Sequence, residues 1–224
     1  MKNFFILCCL WIACCAISAQ EPCPQVIPAL QQWKGGSGKL ALPAEGNIVV
    51  NPADEAVLLS TAEILADDLS LMMGWNYSVK IGKPGKNDIY MALMKPDKEL
   101  GDDGYKLSVN RYAGIEAPTR KGVFWGTRTL LQMLYKQQGK ISKGTARDFP
   151  LFPNRGFMID AGRKFFTLDY LKQYVKILSF YKMNEFQIHL NDNGFPQFFD
   201  NDWNKTYAAF RLESERFPGL TAKD

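Results

Sequence analysis

The amino-acid sequence predicts an α/β protein in two parts: an N-terminal α+β domain, then a βαβ unit that begins a second, parallel sheet. Short β-like runs alternate with two amphipathic helical stretches between about residues 40 and 145. The proline-containing segment KGTARDFPLFPNRG, residues 143–156, then breaks the periodicity. Beyond it a strand, a helix of about four turns and another strand follow in order, which is typical of a parallel sheet.

Composition limits the classes of function. The chain has 224 residues and is 46% hydrophobic, which is enough for a packed core and for one or two domains. Its net charge is only +4, and no basic block is interleaved with aromatic residues. Nucleic acid is therefore not an expected partner.

Residues 1–19 have the features of a signal peptide. A lysine is followed by an apolar run and then by the small residues Ser18 and Ala19. The run is short for a bilayer span, and no later segment is apolar enough, so we expect an exported protein, periplasmic or extracellular, with no membrane span.

Cysteine positions limit disulfide and metal chemistry. Four of the five cysteines lie within residues 1–19, which leaves Cys23 alone in the mature chain. No internal disulfide and no cysteine-based metal site is then expected. A lipid anchor at Cys14, in the stretch WIAC, is the less favoured alternative for the N-terminus.

Residues 20–39 are predicted to be a linker, and residues 40–145 the α+β domain. NIVVN at 47–51 is a strand, and Pro52 opens a helix that ends at Gly74 and has an apolar stripe at Leu58, Ala62, Leu65, Leu69 and Met72. The stretches NYSVKIG, DIYMALM and YKLSVN are further strands. A second helix, GVFWGTRTLLQMLYKQ, ends before Gly139.

The second part is predicted to span residues 150–224. GFMID at 156–160 is a short apolar strand, and EFQIHL at 185–190 is the next one. Thr167 is expected to cap the helix between them. The apolar residues of this helix are expected to face inward; they are Leu168, Leu171, Val175 and Leu178.

Polar residues follow both strands of this unit. Asp160 and Arg163 come after the first strand, and His189, Asn191, Asp192 and Asn193 come at or after the end of the second. Since parallel strands end at one edge of the sheet, where α/β folds place their chemistry, these residues are expected to share a rim. A helix-side cap at Asp160 and a hydrogen-bonded core histidine at His189 are the structural alternatives.

The sequence of this part resembles the start of the catalytic domain of glycoside hydrolase family 20, the β-N-acetylhexosaminidases. The resemblance is carried by RGFMIDAGRKFF, YLKQYVKILSFYKMNEFQIHLND and AAFRLESERFPGLT. The matching positions are Arg155, Gly156, Asp160, Arg163, Phe165, Phe166, Tyr181, Lys182, Asn184, His189 and Asp192. The upstream part resembles the family's non-catalytic α+β domain. The resemblance therefore implies a (β/α)8 TIM barrel, of which this chain holds only the first βαβ part.

The resemblance also implies roles for individual residues. Arg163 would bind two neighbouring hydroxyls of a terminal hexosamine through its fork of donors; a surface ion pair is the alternative. Asp192 would act beside the sugar by orientation and local charge, with a turn cap as the alternative. Arg155, Asp160 and His189 would be rim scaffolding. No metal and no cofactor is implied.

Two features depart from the family pattern. Asn193 stands where many members have a second aspartate, and the loop GFPQFFDNDWNKTY is longer than usual. The aromatic residues of this loop would either form a stacking wall for a sugar or pack the loop itself; they are Phe195, Phe198, Phe199 and Trp203.

The family's catalytic Asp-Glu pair is not found after the boundary. In the family's substrate-assisted retaining mechanism the 2-acetamido oxygen attacks the anomeric carbon, the aspartate orients it, and the glutamate is the acid and base. The one Asp-Glu dipeptide here, Asp54-Glu55, starts an N-terminal helix. A barrel needs about 250 residues, whereas 70 lie from Arg155 to Asp224. We expect a fragment of a larger hexosaminidase, or the product of an interrupted gene, that is inactive alone and lacks the C-terminal half.

Three functions compete at this point. The favoured one is a secreted glycosidase that removes terminal N-acetylhexosamine from glycans, with the catalytic residues outside this chain. The second is a non-catalytic carbohydrate-binding or interaction protein derived from that family. A metal-dependent barrel hydrolase that uses His189, Asp160 and Asp192 is disfavoured, because one histidine makes a thin ligand set.

Overall fold

The computed structural model describes residues 20–162, 164, 166–190 and 200–202. Within these ranges no helix has the length and apolar character that crossing a membrane requires. The signal peptide predicted at residues 1–19 and the alternative lipid anchor at Cys14 lie outside the described residues.

The N-terminal part is a mixed sheet with both of its helices on one face. Seven strands lie in the order β1-β7-β5-β6-β4-β2-β3. They are β1 Gln32–Ala41, β2 Glu45–Val50, β3 Asn76–Ile81, β4 Ile89–Leu93, β5 Tyr105–Val109, β6 Ala113–Ala117 and β7 Lys140–Asp148. The pairs β2–β3, β2–β4 and β4–β6 are parallel, whereas β1–β7, β5–β6 and β5–β7 are antiparallel.

Helices α1 (Glu55–Met73) and α2 (Arg120–Gln137) supply the other half of the core. The predicted stripe of α1 is buried at Leu58, Ala62, Leu65 and Leu69, which pack with the inner residues of β2 and β4. The helix ends where Gly74 takes a left-handed conformation with φ 66°, which suits a residue without a Cβ. Thr119 caps α2 by accepting a hydrogen bond from the Gly122 N–H.

The linker predicted at residues 20–39 is wrong from Gln32 onward. Gln32–Ala41 is the edge strand β1, paired along its length with β7 apart from a register shift between Gly35 and Lys39. Glycine lowers strand propensity, so this glycine-rich stretch is a strand only because β7, 99 to 115 residues further along the chain, offers a partner. The same sheet extends past residue 145, since β7 continues to Asp148.

The second part is a βαβ unit, as predicted. Strands β8 (Gly156–Asp160) and β9 (Glu185–His189) pair in parallel, and α3 (Leu168–Phe180) joins them. The Thr167 side chain caps α3 by accepting from the Tyr170 N–H at 3.2 Å. Leu171 and Leu178 face inward, but Val175 is half exposed, so its predicted inward position is wrong.

Candidate functional site

The carboxyl ends of β8 and β9 lie side by side. The parallel register pairs Gly156 with Glu185 at one end and Asp160 with His189 at the other. Residues opposite each other in neighbouring strands point to the same face, about 5 Å apart. The carboxylate of Asp160 and the imidazole of His189 are therefore neighbours at the predicted rim, and both residues are half-buried.

The two residues lie on the face that turns away from α3. Phe157 and Phe186 both contact the ring of Tyr174 in α3, with centroids 5.3 and 5.7 Å apart. Side chains alternate between faces along a strand, so Asp160 and His189 point to the opposite side. Both residues also lie at the carboxyl ends of their strands, which is where parallel α/β sheets bind ligands.

The chain turns back over His189 directly after β8. The N–H groups of Ala161 and Gly162 both donate to the carbonyl oxygen of His189, each at 2.9 Å. This bifurcated contact ties the first loop residues to the last residue of β9, and the loop continues into position 163. Arg163 itself lies outside the described residues.

The other residues predicted for a sugar pocket also fall outside the described ranges. Asp192 and Asn193 lie in 191–199, and the loop aromatics lie there or after residue 202. Their predicted roles therefore stay predictions.

Arg155 is not at the rim. It precedes β8, so it lies at the amino end of the strands, and a five-residue strand separates it from Asp160 by roughly 16 Å. Its guanidinium donates to Asp103 at 2.9 Å and to the Lys182 carbonyl at 2.7 Å, and it lies over the Trp125 ring. The prediction of Arg155 as rim scaffolding is wrong, because a residue before a strand and a residue after it occupy opposite ends.

The Asp54-Glu55 dipeptide has a structural role. One carboxylate oxygen of Asp54 accepts hydrogen bonds from the Asn51 side chain at 2.7 Å and from the Leu93 N–H at 2.9 Å. These contacts fasten the start of α1 to the end of β4, in the N-terminal part. Among the described residues, no group of three or more His, Cys, Asp or Glu side chains could hold a metal ion.

Lys182 is a buried charged residue whose importance sequence reasoning missed. It lies at the amino end of β9, and its ammonium contacts Asp148 and Tyr105. Burial lowers the pKa of this ammonium, and the neighbouring Asp148 opposes the lowering. A cavity of about 220 Å³ adjoins it, lined by residues 148–152 with Trp125 and Arg155. The motif Tyr181-Lys182-x-Asn184 was the available signal.

Two family profiles match the chain. One is described as glycosyl hydrolase family 20, domain 2, and covers residues 23–149. The other is described as glycosyl hydrolase family 20, catalytic domain, and covers residues 152–223. The gap between them coincides with the end of β7 and the segment before β8.

Individual proteins agree with these profiles. A beta-hexosaminidase of Porphyromonas gingivalis is 27% identical over 96% of this chain and 28% of its own length. A beta-N-acetylhexosaminidase of Cellulomonas fimi is 30% identical over 68% of this chain and 31% of its own. A Streptomyces plicatus N-acetyl-beta-hexosaminidase in complex with thio-NAglucal aligns with TM-score 0.67 at 29% identity, over 78% of this chain and 36% of that one. The chain thus spans less than a third of the curated relatives' length.

Proposed function

Since the chain belongs to glycosyl hydrolase family 20, we propose that it contributes the sugar-gripping side of a β-N-acetylhexosaminidase that removes terminal N-acetylhexosamine from glycans. The activity would belong to a longer protein, because the part that matches this chain makes up only 28% and 31% of the length of two such relatives. The family is a family of glycosidases, and the substrate class is carried over from it.

One observation carries the proposal at the level of residues. The register of β8 and β9 sets Asp160 beside His189, and the Ala161 and Gly162 N–H groups bind the His189 carbonyl oxygen. The loop that leads to Arg163 and the loop that leads to Asp192 therefore start from adjacent points on one edge. This arrangement supports a pocket to which both loops contribute.

The residues at this edge would have distinct roles. The guanidinium of Arg163 would bind two hydroxyls of the terminal sugar, and Asp192 would add local negative charge and orientation. Asp160 and His189 would hold the strand ends. The acetamido oxygen of the substrate would attack the anomeric carbon, and an Asp-Glu pair outside this chain would orient it and transfer the protons.

The sugar-gripping role is tested by titrating the isotope-labelled 224-residue chain with N-acetylglucosamine and N-acetylgalactosamine. We expect amide resonance shifts at Asp160–Gly162 and at His189, abolished by Arg163→Gln. Lys164→Gln removes the same charge from the next residue and is the matched control. Shifts that persist in Arg163→Gln, or no shifts in the unaltered chain, would contradict the proposed role.

Turnover separates the enzyme from the non-catalytic alternative. The protein isolated from its source cells through an antibody to the N-terminal domain should release p-nitrophenol from p-nitrophenyl N-acetyl-β-glucosaminide. The 224-residue chain alone should not. Sugar binding without turnover by the isolated protein would favour a carbohydrate-binding protein derived from this family.

We also propose export through residues 1–19. The protein would be exported to the periplasm or the medium, and the N-terminal residue of its mature form would be Gln20. Mass spectrometry of the N-terminal peptide of the isolated protein measures this directly, and an intact Met1 or a lipidated Cys14 would refute cleavage after Ala19.

A further inference from the structure

Lys182 connects the βαβ unit to the N-terminal sheet. Its ammonium donates to Asp148 Oδ2 at 2.9 Å and to the Tyr105 hydroxyl at 2.8 Å. The Lys182 and Asp148 side chains are 8% and 9% exposed, so neither charge has ready access to water. A buried charge is retained only where it is paired and hydrogen-bonded. The contact is therefore specific.

The backbone of Lys182 gives independent support. Its φ is 60°, in the left-handed region, at the point where the chain leaves α3. Glycine adopts this conformation freely, whereas a residue with a Cβ gives up about 1 kcal/mol or more. A lysine at a position that suits glycine is explained if the contacts of its side chain stabilise the fold by more than the left-handed backbone conformation costs.

The residues that bind the Lys182 ammonium are also bonded to one another and to the rest of the N-terminal part. Tyr105 and Asp148 are register partners at the ends of β5 and β7. The Tyr105 hydroxyl donates to Asp148 Oδ2 at 2.6 Å and lies 2.5 Å from the Thr129 hydroxyl. Asp148 Oδ1 accepts from the Gln31 N–H at 3.0 Å. Two hydrogen bonds from the N-terminal part thus hold the Asp148 carboxylate in place for the ammonium, and Thr129 of α2 holds the tyrosine hydroxyl.

Further bonds fasten the same end of the unit. Arg155 donates to Asp103 of the N-terminal part at 2.9 Å and to the Lys182 carbonyl at 2.7 Å. The Asn184 side-chain oxygen accepts from the Arg155 backbone N–H at 2.8 Å, and the Asn184 backbone N–H donates to the Arg155 carbonyl oxygen at 3.0 Å. Gln132 of α2 donates to the Phe180 carbonyl at 2.7 Å. The amino ends of both strands are therefore tied to one another and to the N-terminal domain.

The unit has little packing of its own to hold this geometry. It has two strands and one helix, and several of its large apolar side chains are 42–52% exposed. They include Phe157, Met158, Val175 and Ile177. Two-stranded sheets are only marginally stable without further packing. The polar contacts at the amino end are therefore needed to hold the two strands in position.

We propose that Lys182 is a positioning residue that anchors the amino end of β9 to the Tyr105–Asp148 edge of the N-terminal domain, and thereby keeps His189 in register with Asp160. The anchoring surface is this edge together with Asp103 and Gln132. The inference rests on contacts within the chain and is independent of the proposed glycosidase function.

The test replaces Lys182 by methionine, which keeps the length of the stem and removes the ammonium. Amide hydrogen exchange in the 224-residue chain should accelerate at least about tenfold at Ala161, Gly162 and in β9, because breaking one partner of a buried pair opens the unit locally. Exchange in the core of β2 should change less than about twofold. Lys172→Met, on the exposed side of α3, is the matched control.

The imidazole resonance of His189 gives a second readout. It is the only histidine of the chain, so its signal needs no assignment. We expect this signal to shift and broaden in Lys182→Met and to stay in place in Lys172→Met. Exchange that is unchanged at the rim, or uniformly faster throughout the chain, would overturn the proposal.

A second variant separates positioning from loss of folding. Asp148→Asn removes the charge that Lys182 meets, and the double variant removes both charges. If the lysine acts through Asp148, the double variant should expose the rim no more than the worse single variant. Additive acceleration would show that the two residues act independently, and the proposed anchor would then be wrong.

Discussion

Arg128 and Asp68 form an ion pair whose two ends differ in burial, and this difference predicts unequal effects of mutation. The guanidinium of Arg128 is 3% exposed and lies between α1 and α2, with Nη1 2.5 Å from Asp68 Oδ2. The Asp68 side chain is 14% exposed. Among the described residues, Nη2 of Arg128 has no hydrogen-bond partner. Asp68→Asn should therefore destabilise the protein more than Arg128→Met.

The magnitudes follow from what each substitution leaves behind. Asp68→Asn leaves a buried cation without its counter-charge, which costs about 3–5 kcal/mol in comparable pairs. Arg128→Met removes the cation together with its unpaired Nη2, and it places an apolar side chain against Phe124. The carboxylate that remains can reach water, so the cost should be about 1–2 kcal/mol. The expected difference between the two variants is about 2 kcal/mol.

Urea unfolding followed by tryptophan fluorescence measures both free energies of unfolding. The double variant should resemble Arg128→Met, because no buried charge is left unpaired. The slope with urea should be the same in all variants if the transition stays two-state. An Asp68→Asn variant as stable as Arg128→Met would refute the argument from unequal burial.

Two further outcomes are expected from other contacts. Gly126→Ala should destabilise by about 1–3 kcal/mol in the same urea assay, because a Cβ there would lie 2.5 Å from Ile115 Cγ2; stabilisation, as helix propensity alone predicts, would contradict this. A hydrogen bond from Arg147 lowers the pKa of Asp97 to about 2. The folded pKa is below the unfolded one, so this carboxylate stabilises the protein above about pH 4 and ceases to as the pH falls to 2. Arg147→Gln should raise the pKa of Asp97, which NMR titration measures. It should also weaken the pH dependence of the free energy of unfolding between pH 4 and 2. Lys106→Gln, which removes a contact of 4.0 Å, should change both much less.

Local signals predict the helices of this protein well. The stripe from Leu58 to Leu69, the proline before it and the glycine after it are all contained in one stretch of chain, and they define α1. The strand β1 has no such signal. Its glycines and serine are typical of a linker, and its partners in β7 lie 99 to 115 residues further along the chain. Local propensity cannot report a pairing at that distance.

The candidate site divides in the same way. The common edge of Asp160 and His189 follows from strand order alone, because parallel strands joined by a helix end at one edge. The contact of Lys182 with Asp148 and Tyr105 joins residues 34 and 77 positions apart. Sequence reasoning gave Lys182 only a place in a motif, since a buried lysine and a surface lysine are alike until the fold brings a carboxylate to one of them.

The polar character of the contact between the two parts bears on register. Buried ion pairs add little net stability compared with well-packed apolar residues, because the charges must first lose their water. An apolar contact, however, tolerates sliding. Hydrogen bonds fix both distance and direction, and such bonds are made here by Lys182, Arg155 and Asn184. A slip of one residue in β9 would turn His189 to the face that packs on α3, away from Asp160. Directional contacts at the amino end thus determine which side chains meet at the carboxyl end, roughly 16 Å away.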